Sequence, residues 1–363
     1  MILVDFSSTM HRMISVAQKD IELQEDEKFI TEDYIFFAMH LILQELYSTY
    51  QEHKNKFGTM VLCLDNASGG YWRKDVYPRY KSKRKNIKEV SPIKWDEVYV
   101  YINSLLDAIK EYLPWKVISV KRAEADDIML ALARHYNSQE FILIQSPDKD
   151  MIQAQKNANS KVFQYSSLTK KWLAPENKHD DMEDWLLEHV CLGDSCDEVP
   201  RIVDETVFSE NFLKYLKENN VLVDNPIDFK EKLTTEKKTQ LLQNYNVYKT
   251  NKKGEETELD IYFKERLGLS TLKKKIEKIG GLEAFLDSHP TYRENYKRNY
   301  TLVMEEGIPV DIWNAILLDY KFAKEDLNIV EFEKFLDNNK LSQLKMTMSF
   351  DSKKELTAND FGW

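Results

Sequence analysis

Acidic residues follow short apolar segments at several points in the first half of this chain. Asp5 comes directly after one apolar run, Asp65 after a second, and Asp148 and Asp150 shortly after a third. In open α/β sheets, binding and catalytic sites form outside the carboxyl ends of the parallel strands. If the apolar runs are such strands, these four carboxylates meet at one edge of one sheet.

Five further acids fit the same edge by their position in the chain. They lie at the start of a predicted helix after a fourth apolar run, and after a predicted helix that ends near residue 192: Glu124, Asp126, Asp127, Asp194 and Asp197. Taken singly, each group has a structural alternative: Asp65 can belong to a turn, the acids at 124–127 can complement a helix N-terminus, and Asp194 can form a turn or cap. Nine like charges together would raise one another's pKa values unless cations bind among them.

Clustered carboxylates are typical ligands of hard divalent cations. Mg²⁺ and Mn²⁺ both take carboxylate and water oxygens, and two such ions about 3.5–4 Å apart can clamp a phosphodiester. The nine acids account for nine of the ten units of net negative charge, so the acidity of the chain does not argue against a nucleic-acid substrate. The three cysteines and seven histidines are scattered, which argues against structural zinc and against a disulfide framework.

Basic residues are concentrated after the second acid, between Arg73 and Lys88. Eight of them stand against a single acid, and aromatic residues are interleaved with them. Basic side chains neutralise phosphates and aromatic rings stack on unpaired bases, whereas the plain alternative is a solvated loop. A second basic cluster, at 273–275, is interpreted either as a grip on duplex backbone or as an ordinary exposed helix face. The residues predicted to contact nucleic acid are Arg73, Lys74, Arg79, Tyr80, Lys83, Lys85, Lys273, Lys274 and Lys275.

The hydrophobic pattern predicts the elements that position these residues. Continuous apolar runs alternate with amphipathic segments such as 95–113 and 125–136, which is typical of a mostly parallel sheet covered by helices on both faces. From about residue 180 the pattern is nearly all helical. Neither a run of 18 apolar residues nor a basic-then-apolar leader is present, so we expect no membrane span and no signal peptide.

The acidic blocks, in this order, resemble the 5′-nuclease (flap endonuclease) superfamily, most closely its ribonuclease H branch in T-even-type bacteriophages. The resemblance covers about residues 1–204 and 265–325. It implies an α/β fold: a PIN-like nuclease domain with a mostly parallel central sheet, followed by a helical duplex-binding domain of helix–three-turn–helix type. The blocks that carry it are Val4–Ser7, Leu64–Ala67, Gly70–Asp75, Glu124–Asp127, Ser146–Asp150, Gly193–Asp197, Tyr296–Leu302 and Ile308–Pro309.

The resemblance also implies a division into domains. We expect the α/β nuclease domain over 1–190, with a basic arch at about 71–95 that covers the active site. A helical DNA-binding domain follows over 191–330, with an insertion at about 205–264, and a C-terminal helix and tail occupy 331–363. The sequence departs from the family where 197–201 replaces the usual Asp-Asn-Val-Pro-Gly, and where the expected glycine-rich turn is found only in degenerate form at 268–274.

Roles for single residues follow from the same resemblance. Asp194 and Asp197 would serve a second metal ion, and Asp127 is either a ligand or a helix cap. In the arch, Lys81 and Arg84 would touch the region of the scissile phosphate and act as catalytic residues. The acids that would act in catalysis as ligands of the metal, or as close neighbours of those ligands, are Asp5, Asp65, Glu124, Asp126, Asp148 and Asp150.

The expected activity is that of a two-metal 5′→3′ exonuclease and flap endonuclease that uses Mg²⁺, with Mn²⁺ as a substitute. Its expected substrates are RNA–DNA hybrid and DNA duplexes with 5′ ends or flaps, and its expected task is primer removal in phage DNA replication, as a monomer in the cytoplasm of the infected host cell. The alternatives are a catalytically silent nucleic-acid-binding module on the same fold and a single-domain structure-specific RNase. The apolar residues of the C-terminal tail suggest a sliding clamp or single-stranded-DNA-binding protein as partner, against the alternative of a self-docked end.

Overall fold

The computed structural model of the 363-residue chain describes residues 1–20, 32–83, 91, 93–156, 161–174, 182–203, 206–208, 210–223, 229, 233–253, 262–264, 268–348 and 350. The chain divides into two compact units. The first unit is Met1–Leu186 together with Tyr300–Trp363, and the second is Leu187–Asn299. No helix in the described ranges is long and apolar enough to cross a membrane.

The strands form one six-stranded sheet in the first unit and one two-stranded ribbon in the second. The order in the sheet is β3-β2-β1-β4-β5-β6, and every neighbouring pair is parallel except β5 with β6. The predicted mostly parallel sheet is therefore confirmed. The strands are β1 (Ile2–Asp5), β2 (Met60–Cys63), β3 (Lys116–Ile118), β4 (Ile142–Gln145), β5 (Val162–Ser166), β6 (Lys171–Leu173), β7 (Thr206–Phe208) and β8 (Tyr262–Lys264).

Helices account for most of the remaining described chain. Short 3₁₀ segments follow β4 (Lys149–Gln155), precede the twelfth helix (Glu305–Gly307) and end the described C-terminal region (Ser342–Met346). The helices are α1 (Phe6–Asp20), α2 (Glu32–Phe57), α3 (Arg73–Val76), α4 (Trp95–Tyr112), α5 (Ala125–Tyr136), α6 (Met182–Leu192), α7 (Glu210–Glu218), α8 (Thr235–Lys253), α9 (Leu269–Ile279), α10 (Leu282–Asp287), α11 (Tyr292–Val303), α12 (Val310–Phe322) and α13 (Ile329–Asn338).

Both faces of the sheet are buried, which explains why its strands read as continuous apolar runs rather than as alternating ones. Ile2 and Val4 belong to the core that β1 shares with α1, α2 and α4, whereas Leu3 belongs to the core on the opposite face, with α5 and α12. The sheet is thus fixed between two helical layers. At the carboxyl edge of the sheet the chain leaves the buried strands, so polar side chains can be accommodated there.

The C-terminal part of the chain corrects the predicted domain boundary. The sequence pattern places residues 300–330 with the helical second domain, but the structure returns the chain to the first unit at Tyr300. The physical reason is the apolar face of α12, because Ile312 and Ile316 are buried in the same core as α5 and the sheet. The sequence shows that α12 is amphipathic but does not show which core it completes.

The described residues of the second unit form two small cores. One buries residues of α9 and α10, including Leu272 and Phe285. The other lies inside the predicted insertion at 205–264, where the rings of Phe212 and Tyr245 pack edge to face with centroids 4.8 Å apart. The antiparallel pair β7 and β8 brings together the two ends of this insertion, so the insertion has its own core and a paired stem.

Gly307 ends the 3₁₀ turn that precedes α12. A Cβ atom at this position would overlap the carbonyl oxygen of Thr301, so Gly307→Ala must displace backbone. We expect this substitution to lower the free energy of unfolding by about 1–3 kcal/mol in urea denaturation. Gly268→Ala is the control, since its added methyl group meets no atom within 4 Å; equal losses from the two substitutions would contradict the steric account.

Candidate active site

The carboxyl edge of the sheet brings together four of the nine predicted acids. Asp5 is the last residue of β1, Asp65 lies two residues past β2, and Asp148 lies three residues past β4. Since β2, β1 and β4 are neighbours in the sheet, these three positions are adjacent at one edge. Asp126 joins them from the first turn of α5, which follows β3.

Local backbone N–H groups hold these carboxylates in place. Asp5 Oδ1 accepts a hydrogen bond of 2.8 Å from the Ser8 N–H, at the start of α1. Asp65 Oδ1 accepts one of 2.8 Å from the Ala125 N–H, at the start of α5. The acids thus lie where the first turns of two helices present unsatisfied N–H groups, which favour negative charge.

The pKa values at this edge report how close the like charges lie. The pKa of Asp5 is raised to about 6, chiefly by burial and in part by the neighbouring charges of Asp65 and Asp148, against the lowering effect of the hydrogen bond from Ser8. Burial also raises the pKa of Asp126 well above its usual range, with Asp148 and Asp5 adding to the effect. The structure therefore brings four of the nine predicted acids into one mutually repelling group, defined here as the acid cluster: Asp5, Asp65, Asp126 and Asp148.

Arg73 lies beside this cluster in a buried ion-pair network. Its Nη1 atom is 2.8 Å from Glu124 Oε2, its Nη2 atom is 2.8 Å from Asp127 Oδ1, and its Nε–H donates to the Leu302 carbonyl at 2.8 Å. Arg73 is predicted to contact nucleic acid; in this structure its guanidinium is buried and paired with Glu124 and Asp127. It acts as the internal counter-charge of two acids.

Asp127 is a helix cap rather than a ligand in this arrangement. Its Oδ2 atom accepts from the Glu124 N–H at 2.8 Å and forms a capping box at the start of α5. The same oxygen accepts from the indole of Trp72 at 3.0 Å. Of the two roles open to Asp127 in the sequence, the cap is the one the structure shows, and the carboxylate is fully buried with Arg73.

Glu124 is also paired with two residues of the predicted arch segment. Lys81 Nζ is 2.5 Å from Glu124 Oε1, and the Tyr80 hydroxyl donates to Oε2 at 3.0 Å. Burial alone would raise the pKa of Glu124, but the charges of Arg73 and Lys81 outweigh it, so its pKa is lowered. Tyr80, which is predicted to contact nucleic acid, is buried in this structure.

Lys81 adopts a backbone conformation that side chains seldom take. Its φ angle is +52°, in the left-handed region that is unfavourable for residues other than glycine. Its side chain is 8% exposed, and its ammonium group lies 5.0 Å from the centroid of the Tyr80 ring. The described part of the predicted arch segment therefore holds Lys81 inward, against Glu124, rather than outward toward solvent.

The other predicted nucleic-acid contacts fall into three groups. Lys74, Arg79 and Lys83 are exposed at the base of the arch. Arg84 and Lys85 lie outside the described residues. The three lysines Lys273, Lys274 and Lys275 are on α9 of the second unit, where Lys274 is exposed and the other two are partly buried.

Asp194 and Asp197 lie on a tight turn of the second unit. The backbone N–H and carbonyl of Asp194 both pair with Val199, at 3.0 and 2.7 Å, and Asp194 Oδ1 accepts from the Cys196 N–H at 2.7 Å. Gly193 precedes the turn with a φ of +65°, and a Cβ there would overlap the Val199 carbonyl oxygen. The turn is therefore built to hold one shape, as the structural alternative for Asp194 expects.

Ser146 is a site residue that the motif analysis did not single out. Its hydroxyl donates to Asp5 Oδ2 at 3.4 Å and accepts from the Asp148 N–H at 3.2 Å. It is fully buried between two acids of the cluster. Only its position in the sequence indicates this role: Ser146 is a small polar residue directly after the last residue of β4.

The acid cluster has the donor chemistry for divalent cations. Within the described ranges, no three Asp, Glu, His or Cys side chains are already arranged to hold one ion. Burial and like charges nevertheless raise the pKa values of Asp5 and Asp126, so these carboxylates lie close enough to repel one another. Carboxylate oxygens are the ligands that Mg²⁺ and Mn²⁺ prefer, so the residues present fit such ions.

Comparison with known proteins identifies the class. The family model of the 5′-3′ exonuclease N-terminal, resolvase-like domain matches residues 1–183, and the chain belongs to that family. The predicted membership of the 5′-nuclease superfamily is thereby confirmed. Its members are nucleases, that is, hydrolases of nucleic acids.

Particular relatives come from bacteriophages. The chain is 29% identical over 202 residues to the ribonuclease H of Enterobacteria phage T4, a match that spans 55% of this chain and 62% of that protein. It is similar in fold to a bacteriophage T5 protein co-crystallised with metal ions, with a TM-score of 0.51, 15% identity and coverage of 93% of this chain and 98% of the other. A bacteriophage T5 flap endonuclease in complex with DNA and metal ions gives a TM-score of 0.50 at 14% identity, over 94% and 98% of the two chains.

The raised pKa of Asp5 predicts that the free energy of unfolding of the metal-free chain falls as the pH rises. An acid whose pKa is raised by folding, here from 3.8 to about 6, favours the folded state at low pH and loses that contribution as the pH rises through 6. We expect Asp5→Asn to raise the free energy of unfolding in chelator by roughly 1–3 kcal/mol at about pH 8, and by nothing measurable below about pH 4.

Urea denaturation at the two pH values measures this effect. Asp107→Asn is the matched control, because Asp107 is exposed on α4 and lies outside the acid cluster. A gain from Asp5→Asn that is the same at both pH values, or an equal gain from Asp107→Asn, would contradict the account that burial and like charges destabilise the ionised Asp5 carboxylate.

Proposed function

We propose that this chain is a divalent-metal-dependent 5′→3′ nuclease that hydrolyses RNA–DNA hybrid and DNA duplexes bearing 5′ ends or flaps. The acid cluster is the observation that carries the proposal, because burial and neighbouring like charges raise the pKa values of Asp5 and Asp126, and a cation would neutralise that charge. The relatives support the substrate class, since one is named a ribonuclease H and another is a flap endonuclease in complex with DNA. Removal of RNA primers during phage DNA replication is the task we propose for it.

Two Mg²⁺ ions, with Mn²⁺ as a substitute, are the proposed cofactors. Asp5, Asp65, Asp126, Asp148 and Asp150 would hold them at the sheet edge, and Asp194 and Asp197 would serve the second ion. Bound there, the ions would supply the positive charge that activates water and stabilises the departing oxygen of the phosphodiester. The other residues of the site supply charge balance and position.

Lys81 is the residue that we propose to change partner when substrate binds. In the structure its ammonium group neutralises Glu124, and a phosphate at the sheet edge would offer it a second anion. Transfer of Lys81 to that phosphate would place a positive charge where negative charge develops during hydrolysis, and would free Glu124 to face the metal site. Arg84 would assist Lys81, while Lys74, Arg79, Lys83 and Lys85 would neutralise phosphates further along the strand.

The remaining parts of the chain are assigned by the same proposal. The helical second unit would hold duplex backbone, with Lys273, Lys274 and Lys275 of α9 as phosphate contacts. The C-terminal tail would recruit a sliding clamp or a single-stranded-DNA-binding protein. The protein would act as a monomer in the cytoplasm of the infected host cell.

Neutralising one acid after β4 tests the proposed activity. We expect Asp148→Asn and Asp150→Asn to abolish release of short products from a 5′-labelled flap duplex in Mg²⁺, because a misplaced metal ion leaves the phosphodiester unactivated. Binding of the same duplex in chelator should persist or tighten, since a negative charge near phosphate has been removed. If either variant keeps a cleavage rate within about tenfold of the wild-type rate, which is roughly 1.4 kcal/mol in the activation barrier, the assignment of these acids as metal ligands is wrong.

The same assay separates the nuclease from a catalytically silent nucleic-acid-binding module. A nuclease releases product from wild-type chain in Mg²⁺ and none in chelator. A silent module binds the flap duplex equally in both conditions and releases nothing.

A matched pair of lysines tests the proposed role of Lys81. Lys81 is buried against Glu124, whereas Lys83, two residues later, is exposed. We expect Lys81→Ala to lower the single-turnover cleavage rate by about 100-fold with a smaller loss of duplex affinity. We expect Lys83→Ala to weaken binding modestly and to reduce the salt dependence by about one unit of slope. Identical small losses in affinity with no loss in rate would make both lysines general electrostatic contacts.

A further inference from the structure

Asp148 and Asp150 lie on a loop that has left the sheet. β4 ends at Gln145, and the loop then enters the 3₁₀ segment Lys149–Gln155. Asp148 is exposed and Asp150 is half-buried, so side-chain packing does little to fix either residue. A metal site, however, needs its ligands held within a fraction of an ångström. Other contacts must set the position of this loop.

Gln164 reaches the loop from the neighbouring strand. It lies on β5 and is 1% exposed. Its amide nitrogen donates two hydrogen bonds, to the Ser146 carbonyl at 3.0 Å and to the Asp148 carbonyl at 2.6 Å. Both protons of one amide group therefore bracket Pro147 and fix the backbone on either side of it.

Gln153 holds the next part of the loop in the same way. It is 2% exposed, and its amide nitrogen donates to the Asp150 carbonyl at 2.9 Å and to the Val303 carbonyl at 3.0 Å. Its amide oxygen accepts from the Glu305 N–H at 2.8 Å. Gln153 therefore ties Asp150 to the chain that follows α11, within the same unit.

We propose that Gln153 and Gln164 are positioning residues that set the backbone of Asp148 and Asp150 for metal binding. Gln164 uses both amide protons on carbonyls of the loop, and Gln153 uses one on the loop and one on the Val303 carbonyl at the end of α11. An apolar side chain of the same size would leave these carbonyls unpaired. Partners outside the coordination shell orient metal ligands and commonly change metal affinity when they are removed. The inference rests on the proposed function, because it takes Asp148 and Asp150 as ligands.

Gln155 provides a control within the same 3₁₀ segment. Its amide nitrogen donates to the Leu173 carbonyl on β6 at 3.0 Å, so it is the same residue type making the same kind of bond. That bond leads to the outer strand of the sheet rather than to the loop of Asp148 and Asp150. Its loss removes a structural tie and leaves the acids untouched.

The test compares the full-length wild-type chain with Gln153→Leu, Gln164→Leu and Gln155→Leu. Mn²⁺ affinity is measured by electron paramagnetic resonance of the free ion, and thermal unfolding is measured in chelator. We expect Gln153→Leu and Gln164→Leu to weaken Mn²⁺ binding by about 10–100-fold. Gln155→Leu should lower the unfolding temperature in chelator yet leave Mn²⁺ affinity unchanged. Binding of a flap duplex in chelator should be the same for all four proteins.

Three results would overturn the inference. The first is unchanged Mn²⁺ affinity in both loop variants, and the second is an equal loss in Gln155→Leu. The third is failure of both loop variants to fold, which would show that the two amides are needed for folding itself. If only one loop variant folds, its Mn²⁺ affinity alone decides whether the inference holds. If the wild-type chain itself neither binds Mn²⁺ nor cleaves, the proposed function fails as well. If the wild type does both and the loop variants bind Mn²⁺ normally, only the positioning role is lost.

Discussion

Repulsion among carboxylates at the carboxyl edge of the sheet is the constraint on which the rest of the first unit depends. The parallel order of β2, β1 and β4 brings Asp5, Asp65 and Asp148 together, although their like charges repel one another. Their proximity and burial raise the pKa of Asp5 to about 6. A fold that keeps such a group is stabilised by burial on both faces of the sheet, and it gains from any divalent cation that enters the cluster.

Glu124 and Asp127, which lie next to the acid cluster, are neutralised by a buried arginine. Arg73 pairs with Glu124 and Asp127 and also holds the Leu302 carbonyl, so it connects the base of the arch, the start of α5 and the end of α11. Removing it would leave two buried carboxylates without their main counter-charge, which is strongly destabilising in general. The site therefore contains two kinds of acid: Glu124 and Asp127, which pair with Arg73, and Asp5 and Asp126, whose pKa values are raised.

The strands, the acids after them and the family could be predicted from the sequence, because those signals are local. An apolar run buried on both faces and the acid that ends it are adjacent in the chain, as at Val4 and Asp5. Arg73 could not be placed in the same way. It stands in a segment dense in charge, where most side chains are solvated, and its partner Glu124 lies 51 residues later. The return of α12 to the first core, and the reach of Gln164 to Asp148, are also contacts between distant parts of the chain.

Anomalous diffraction from crystals of the full-length chain soaked in Mn²⁺ tests the central claim most directly. The account predicts manganese bound by the carboxylates of Asp5, Asp126 and Asp148, with Arg73 still holding Asp127. Ordered crystals that show these carboxylates side by side with no manganese among them would contradict it, since the repulsion would then be balanced by some other means.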